Sequence, residues 1–322
     1  MKLPTLVFLL LLSGTAVAQA APAFRVVVLG CQGGLVESNL SSYLLCTPDR
    51  SGYLSLDAGT LASGLKVAAS KGTLEPADLG ESVEGTALHH IKGYLISHAH
   101  FDHLAGLVID SPEDSKKPVV GLDSTIDALC DHVFHSPVWS NFGDEGLNPI
   151  GRYHYQRVQP GVSFKVANCP WDIQALPLSH SDQLSTAYIL TSPRGLLVYC
   201  GDTGPDGVEG GQRMLDLWKR LAPEVASGRL KGLFLEVSFP DGRSDKALFG
   251  HLTPTWMMRE MHRLADLAGQ DKMRGLRVVV SHIKPALSTG PSPRQLIEEQ
   301  LRVQNDLGID FIIPEQGQAL EF

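Results

Sequence analysis

Three imidazoles and a carboxylate fall within six positions in Ser97-His98-Ala99-His100-Phe101-Asp102-His103. The chain has only 12 histidines in 322 residues, so this density marks a built site rather than a background of histidine. The apolar run Tyr94-Leu95-Ile96 stands just before it and Leu104-Ala105-Gly106-Leu107 just after. The cluster is therefore expected where a strand gives way to a tight turn. Such a turn lets His98 and His100 point one way while Asp102 and His103 face a neighbouring point. One tetrahedral ion does not need four crowded ligands from a single loop. Two adjacent divalent ions do.

Further ligands must then arrive from other strand ends. His180 closes Ala175-Leu176-Pro177-Leu178-Ser179, Asp202 follows Val198-Tyr199-Cys200-Gly201, and His282 closes Val278-Val279-Val280-Ser281. Each alone reads as a hydrogen-bonded or solvated turn residue. Beside the 98–103 cluster, all three read as ligands. The elements that must carry them are short runs rich in Val, Ile, Leu and Tyr, bounded by Gly, Pro, Ser or Asp. Strands are predicted over 24–30, 42–46, 53–56, 92–97, 119–122, 172–178, 186–190, 196–200, 232–237, 276–281 and 310–313. Helices are predicted over 61–69, 124–133, 212–226, 254–267 and 293–307. Thr253-Pro254 and Ser292-Pro293 both read as an N-cap followed by proline at the first helical position. Strands with interspersed helices and no linker predict one large layered α/β domain over residues 21–322.

Residues 1–20 are set apart as a signal peptide. Met1-Lys2 supplies the positive end, Leu6 to Leu12 the apolar stretch, and Ala16-Val17-Ala18-Gln19-Ala20 two small-x-small cleavage sites. The stretch is too short to span a bilayer. Cleavage after Ala18 or Ala20 predicts a periplasmic or secreted protein with no stable membrane association. The remaining composition narrows the partners. Lys and Arg number 27 against 35 Asp and Glu, a net charge of −8, which disfavours a grip on long nucleic acid. Cys31, Cys46, Cys130, Cys169 and Cys200 are scattered and odd in number, so they form neither a metal knuckle nor a disulfide scaffold. At least one is unpaired or bonded between chains, and most are expected to be small buried hydrophobes.

The H-x-H-x-D-H segment, His180, Asp202 and His282 resemble the ordered ligand motifs of the metallo-β-lactamase superfamily. Leu56-Asp57-Ala58-Gly59-Thr60 resembles its early aspartate turn. The resemblance implies an αββα four-layer sandwich with a two-metal site along one edge of the packed sheets. It also implies that His98, His100 and His180 hold one ion, that Asp102, His103 and His282 hold the other, and that Asp202 bridges. Within that superfamily the chain resembles the class II 3′,5′-cyclic nucleotide phosphodiesterases. The resemblance rests on Leu29-Gly30-Cys31-Gln32-Gly33-Gly34-Leu35 running into Glu37-Ser38-Asn39-Leu40-Ser41, and on His98 to Leu107. It rests as well on Leu235-Glu236-Val237-Ser238-Phe239-Pro240, His251-Leu252-Thr253-Pro254 and Ser281-His282-Ile283-Lys284-Pro285. That group usually carries Leu where this chain has Phe101, an apolar exchange at a position facing away from the ligands.

Phosphodiester hydrolysis suits such a site. Two divalent ions lower the pKa of a bridging water and clamp the phosphoryl oxygens, and the His and Asp ligands suit Zn²⁺, with Mn²⁺ or Fe²⁺ as alternatives. The leaving 3′-alkoxide needs a proton, and His251 is the candidate donor, oriented by Glu236. Asp102 is counted with this catalytic group as well as with the ligands. Lys284 is a candidate phosphate contact, with a solvated loop charge as the alternative. Asn39 and the loop 33–41 are candidates for the base or ribose, with a plain glycine-rich turn as the alternative. His89, His90, His132, His135, His154 and His262 lack the strand-end setting and are assigned to the surface or to helices. The expected substrate is a small cyclic nucleotide. A ribonuclease Z-like nuclease, a lactonase or an arylsulfatase on the same fold is the alternative, and a non-catalytic ligand-binding protein is a further one. The oligomeric state is open, a homodimer included.

Overall fold

A computed structural model describes residues 21–74, 82–287 and 289–322. The signal peptide assigned to residues 1–20 lies outside them. One sheet is built from β1 (Arg25–Gly30), β2 (Ser42–Cys46), β3 (Tyr53–Leu56), β4 (Ile91–Leu95), β5 (Lys117–Gly121) and β6 (Tyr153–Arg157). The second contains β7 (Ser163–Phe164), β8 (Asp172–His180), β9 (Gln183–Ser192), β10 (Gly195–Cys200), β11 (Leu230–Glu236), β12 (Arg277–Ser281) and β13 (Asp310–Ile312). The last strand, β14 (Ala319–Glu321), returns to the first sheet and pairs antiparallel with β1.

Strands buried on both faces explain the nearly continuous apolar runs. Along β1, Val27 and Leu29 face the helices while Val26 and Val28 face the other sheet. Along β10, Leu196, Val198 and Cys200 face helices while Leu197 and Tyr199 face the first sheet. The outer cover on one side comes from α1 (Ala62–Ser70), α2 (Val83–His90), α3 (Phe101–Asp110) and α4 (Asp123–Ala128). On the other it comes from α6 (Arg213–Ala226), α7 (Pro254–Ala268) and α8 (Pro293–Gln304), with the short α5 (Asp206–Glu209) preceding them. Three apolar interfaces separate four layers, helix on sheet on sheet on helix, which is the expected αββα sandwich.

The two sheets share one plan. In the order β14-β1-β2-β3-β4-β5-β6, the first three pairings are antiparallel and the last three parallel. The order β7-β8-β9-β10-β11-β12-β13 repeats that pattern. All five cysteines are buried thiols that form no disulfide.

Several expectations need correction. Asp102 and His103 do not lie in a tight turn but open α3, whose Leu104, Leu107 and Val108 recur at helical spacing and are buried. The segment 124–133 is α4 followed by a wider π turn over Leu129–Val133. The helix expected to reach 307 stops at Gln304, where the Asn305 side chain takes over the main-chain groups of Ile309. Thr253 caps α7 by accepting from Trp256 N–H, but Ser292 makes no equivalent side-chain bond. Helices α2, α3 and α5 and strands β6, β7 and β14 were not anticipated.

Candidate active site

Apart from His251, which lies just before α7, the candidate site side chains sit at or just past the carboxyl end of a strand, the end at which open α/β sheets bind ligands. Asp57 follows β3, His98 to His103 follow β4, His180 closes β8, and Asp202 follows β10. Glu236 closes β11 and His282 follows β12. Asp57, Ser181 and His282 have φ of 54°, 54° and 59°. Such left-handed backbone at non-glycine residues is strained and gathers at functional sites.

The ligand atoms fall into overlapping groups. Those of His98, His100, His180 and Asp202 all lie within 4.8 Å of one another, and so do those of Asp102, His103, Asp202 and His282. Asp202 belongs to both, and to a third group with Glu236, His251 and His282. His103 Nε2 is 3.2 Å from Asp202 Oδ1, His282 Nε2 is 3.2 Å from Asp202 Oδ2, and His98 and His180 Nε2 stand at 3.9 and 3.8 Å from Oδ2. His282 Nε2 is also 3.1 Å from Asp102 Oδ2.

The opposite ring nitrogens show whether cations fit. His103 Nδ1 donates to Asp57 Oδ2 at 2.7 Å and His180 Nδ1 to the Gly250 carbonyl at 2.8 Å. His98 Nδ1 meets Ser97 Oγ at 3.0 Å, His282 Nδ1 meets Ser238 Oγ at 2.9 Å, and the outer nitrogen of His100 meets the Gln183 amide. A neutral imidazole has one N–H, so in their neutral forms His103 and His180 turn lone pairs inward. His103 Nε2 is buried and makes no hydrogen bond despite its closeness to Asp202. A lone pair turned on a carboxylate oxygen needs a cation or a proton between them, so the donor set fits divalent metal ions. Partners on the outer nitrogen are how proteins orient such ligands.

The electrostatics divide the two groups: for His103 burial is outweighed by the Asp202 and Asp57 carboxylates, which raise its basicity well above the ordinary value. Burial pushes the basicity of His98 and His180 down and that of His100 to about 4, leaving neutral imidazoles. For Asp202 burial is opposed by the His282 and His103 charges, and the carboxyl is held well below its usual range. For Asp102 burial is opposed chiefly by the adjacent His282 ring, with the same result.

Beside this centre, His251 Nδ1 donates to Glu236 Oε1 at 2.6 Å and lies 3.8 Å from Asp202 Oδ2. Burial would lower the pKa of His251, but the Glu236 carboxylate outweighs it and raises the pKa above the ordinary value. Glu236 also accepts from Thr203 N–H at 3.1 Å and Ser238 Oγ–H at 2.8 Å, which fixes the carboxylate. Lys284 is partly exposed, its main-chain N–H donates to the Ser238 carbonyl, and its charge opposes protonation of His251. Asn39 turns inward: its Oδ1 accepts from Cys31 N–H at 3.1 Å and holds the 31–39 loop closed. The loop reaches the site through glycines instead. A Cβ on Gly33 would stand 2.3 Å from His282 Cε1, and Gly34 N–H donates to Asp102 Oδ2 at 2.9 Å.

Residues 81–317 match the family model of cAMP phosphodiesterases class-II. The chain belongs to the class-II cAMP phosphodiesterase family. It is 43% identical over 307 residues to a 3′,5′-cyclic-nucleotide phosphodiesterase of Aliivibrio fischeri, with 93% of each chain covered. The crystal structure of unliganded yeast PDE1 superposes with a TM-score of 0.82 at 23% identity, covering 94% of this chain and 100% of that one. The metallo-β-lactamase fold protein YhfI from Bacillus subtilis gives 0.62 at 17% identity, covering 93% and 99%. The fold is therefore the metallo-β-lactamase fold. Family membership favours cyclic-nucleotide hydrolysis over the lactonase, arylsulfatase, nuclease and binding-protein alternatives. Phe101 is 66% exposed.

Sequence reasoning missed the residues that hold the ligands. Asp57 accepts from Ser97 N–H, Ser97 Oγ–H, His103 Nδ1 and Tyr199 O–H at 2.6, 2.7, 2.7 and 2.5 Å. Only the resemblance pointed to Asp57 and to the segment holding Ser238, to which it gave no role, and nothing singled out Gln183 or Gly250. Gly250 had a usable signal, since it directly precedes His251. It has φ of 77°, and a Cβ there would lie 2.5 Å from Ser181 N.

Proposed function

We infer that this protein is a 3′,5′-cyclic-nucleotide phosphodiesterase that breaks the P–O3′ bond and releases the 5′-nucleotide. The observation that carries the reading is Asp202, shared between two ligand groups and 3.8 Å from a His251 that is itself paired to Glu236. His98, His100 and His180 would hold one ion, Asp102, His103 and His282 the other, and Asp202 both. The chemistry such ions supply when bound is charge to offset the phosphoryl oxygens and acidity to make water a nucleophile at neutral pH. We propose zinc, which nitrogen and carboxylate ligands suit, over manganese or iron.

The chain's own groups do the rest. Glu236 keeps His251 protonated and its ring in place, so that the Nε2 proton goes to O3′ as the bond to phosphorus breaks and the water oxygen bonds to phosphorus. Lys284 is positioned to add charge near the phosphate, and the 33–41 loop to form one wall of the substrate cleft. The test is to incubate purified protein with cAMP, cGMP and other phosphodiesters, with and without chelator, and resolve the products by chromatography. A 3′-nucleotide product, or turnover unaffected by complete removal of metal, would overturn the reading.

Residues 1–20 support export, and we propose a periplasmic or secreted enzyme free of the membrane after cleavage. Among the described residues no helix is long and apolar enough to cross a membrane. The native protein should begin at Gln19 or Ala21. N-terminal sequencing that finds Met1 would refute export.

A further inference from the structure

Ser238 lies two residues past the end of β11 and is fully buried. Its place is set by main-chain pairing that outlasts the strands: Val237 N–H donates to Ser281 O, and Lys284 N–H to Ser238 O. Its hydroxyl thereby lies between two histidines with different tasks. Oγ is 2.9 Å from His282 Nδ1, 3.1 Å from His251 Nδ1 and 2.8 Å from Glu236 Oε2.

A serine hydroxyl has one hydrogen and two lone pairs, which fixes the pattern. Two acceptors compete for the hydrogen, Glu236 Oε2 at 2.8 Å and the His282 carbonyl at 3.2 Å. The carboxylate is nearer and charged, so it takes the bond. His251 Nδ1–H is directed to Glu236 Oε1 at 2.6 Å, well inside its distance to Ser238. An Oγ lone pair is left facing His282 Nδ1, which must carry a hydrogen. His282 Nε2, 3.1 Å from Asp102 and 3.2 Å from Asp202, then keeps its lone pair for an ion.

We propose that Ser238 is a positioning residue with two simultaneous effects: it selects the His282 tautomer that can ligate through Nε2, and it aims the Glu236 carboxylate at His251. One hydroxyl ties a metal ligand to the proton donor. The second effect rests on the phosphodiesterase reading; the first rests only on the donor set.

The test loads wild type, Ser238→Ala and Ser238→Thr with zinc, equilibrates them against graded chelator, and counts ions per chain by elemental analysis, with circular dichroism as the folding control. Ser238→Ala should release one of its two ions at a free zinc concentration about 10–100-fold higher than wild type does, the range for removing a ligand's orienting partner. Ser238→Thr, which keeps the hydroxyl, should behave like wild type. Retention of both ions by the alanine variant, or equal losses in both variants, would overturn the proposal. Should the alanine variant fail to fold, nitrogen NMR of the zinc-loaded wild type decides it: a hydrogen on His282 Nδ1 is expected, and zinc on that nitrogen refutes it. A wild type that holds both ions yet cleaves no cyclic nucleotide would refute the phosphodiesterase reading, while the release midpoints still decide the role of Ser238.

Discussion

Asp57→Asn should damage folding and metal binding together, and the size of each effect follows from the donors around the carboxylate. Oδ1 accepts one bond, from Ser97 N–H, while Oδ2 accepts three, from Ser97 Oγ–H, His103 Nδ1 and Tyr199 O–H. An asparagine has one acceptor oxygen. It does best with that oxygen in the Oδ2 place, which turns its NH₂ against the Ser97 N–H. One buried N–H is stranded, at about 1–3 kcal/mol, and three charge-assisted bonds weaken to neutral ones. A loss of roughly 2–5 kcal/mol follows, a large part of the ~5–15 kcal/mol that holds a domain together. At about 2 °C per kcal/mol for a chain of this size, Tm should fall by roughly 4–10 °C. Weaker hold on the His103 Nδ1–H should also lower affinity at the ion His103 serves by about 10–100-fold. Thermal denaturation and zinc release against graded chelator measure the two effects on one preparation. A variant that keeps wild-type Tm and both release midpoints would show that Asp57 does not orient His103.

Three further outcomes are expected. His251→Ala should slow cyclic nucleotide hydrolysis by about 10²–10⁴ but slow a nitrophenyl phosphodiester far less, since phenolate hardly needs protonation; equal losses on both substrates would reassign His251 to binding. The His251 pKa is raised, with burial opposed chiefly by Glu236, and the acid form is lost as pH rises through that pKa. Glu236→Gln removes the raising charge, so the falling limb of kcat/KM should move to lower pH, and an unmoved limb would refute the pairing. Asp202→Asn should lose most activity and at least one ion with near-native circular dichroism; near-wild-type turnover would move the shared ligand elsewhere.

The candidate ligands were legible because each stands where an apolar run stops, and strand ends are marked by local sequence. β2 and β3 lie at their expected limits for the same reason, being short apolar runs between turn residues. β6 and β14 were missed because only alternate or few residues in them are buried; pairing with β5 and β1 makes them strands. α3 was missed for a different reason: the ligand cluster drew a turn over residues whose apolar spacing is helical. The orienting partners were invisible because they arrive from far along the chain. Gly250 meets His180 across 70 positions, and Tyr199 meets Asp57 across 142. No local pattern carries that information.

The shared plan of the two sheets makes the strongest case for ions at Asp202. Asp57 follows β3 and Asp202 follows β10, the strands at which antiparallel pairing gives way to parallel in each sheet. Both carboxylates are buried, at 0% and 2% exposure, and a buried charge must find donors or cations. Asp57 finds protein donors, with a main-chain N–H, two hydroxyls and an imidazole N–H all within 2.7 Å. Asp202 does not. Among the described residues no main-chain N–H or hydroxyl donates to it, and its neighbours are nitrogens of His98, His103, His180, His251 and His282 at 3.2–3.9 Å. Burial leaves His98 and His180 without protons to give. Within the chain, the charge opposing burial of Asp202 comes from the His282, His103 and His251 rings alone, and divalent ions held by the inward ring nitrogens would supply it instead when bound. Equivalent positions in the two sheets thus hold aspartates in different surroundings: Asp57 is met by main-chain, hydroxyl and imidazole donors, Asp202 by imidazole nitrogens alone, a set that could hold ions. Stripping the metal should leave the Asp57 bonds intact and weaken the fold around Asp202, so that added zinc raises the Tm of wild type more than that of Asp202→Asn. Equal gains in the two proteins would refute the assignment.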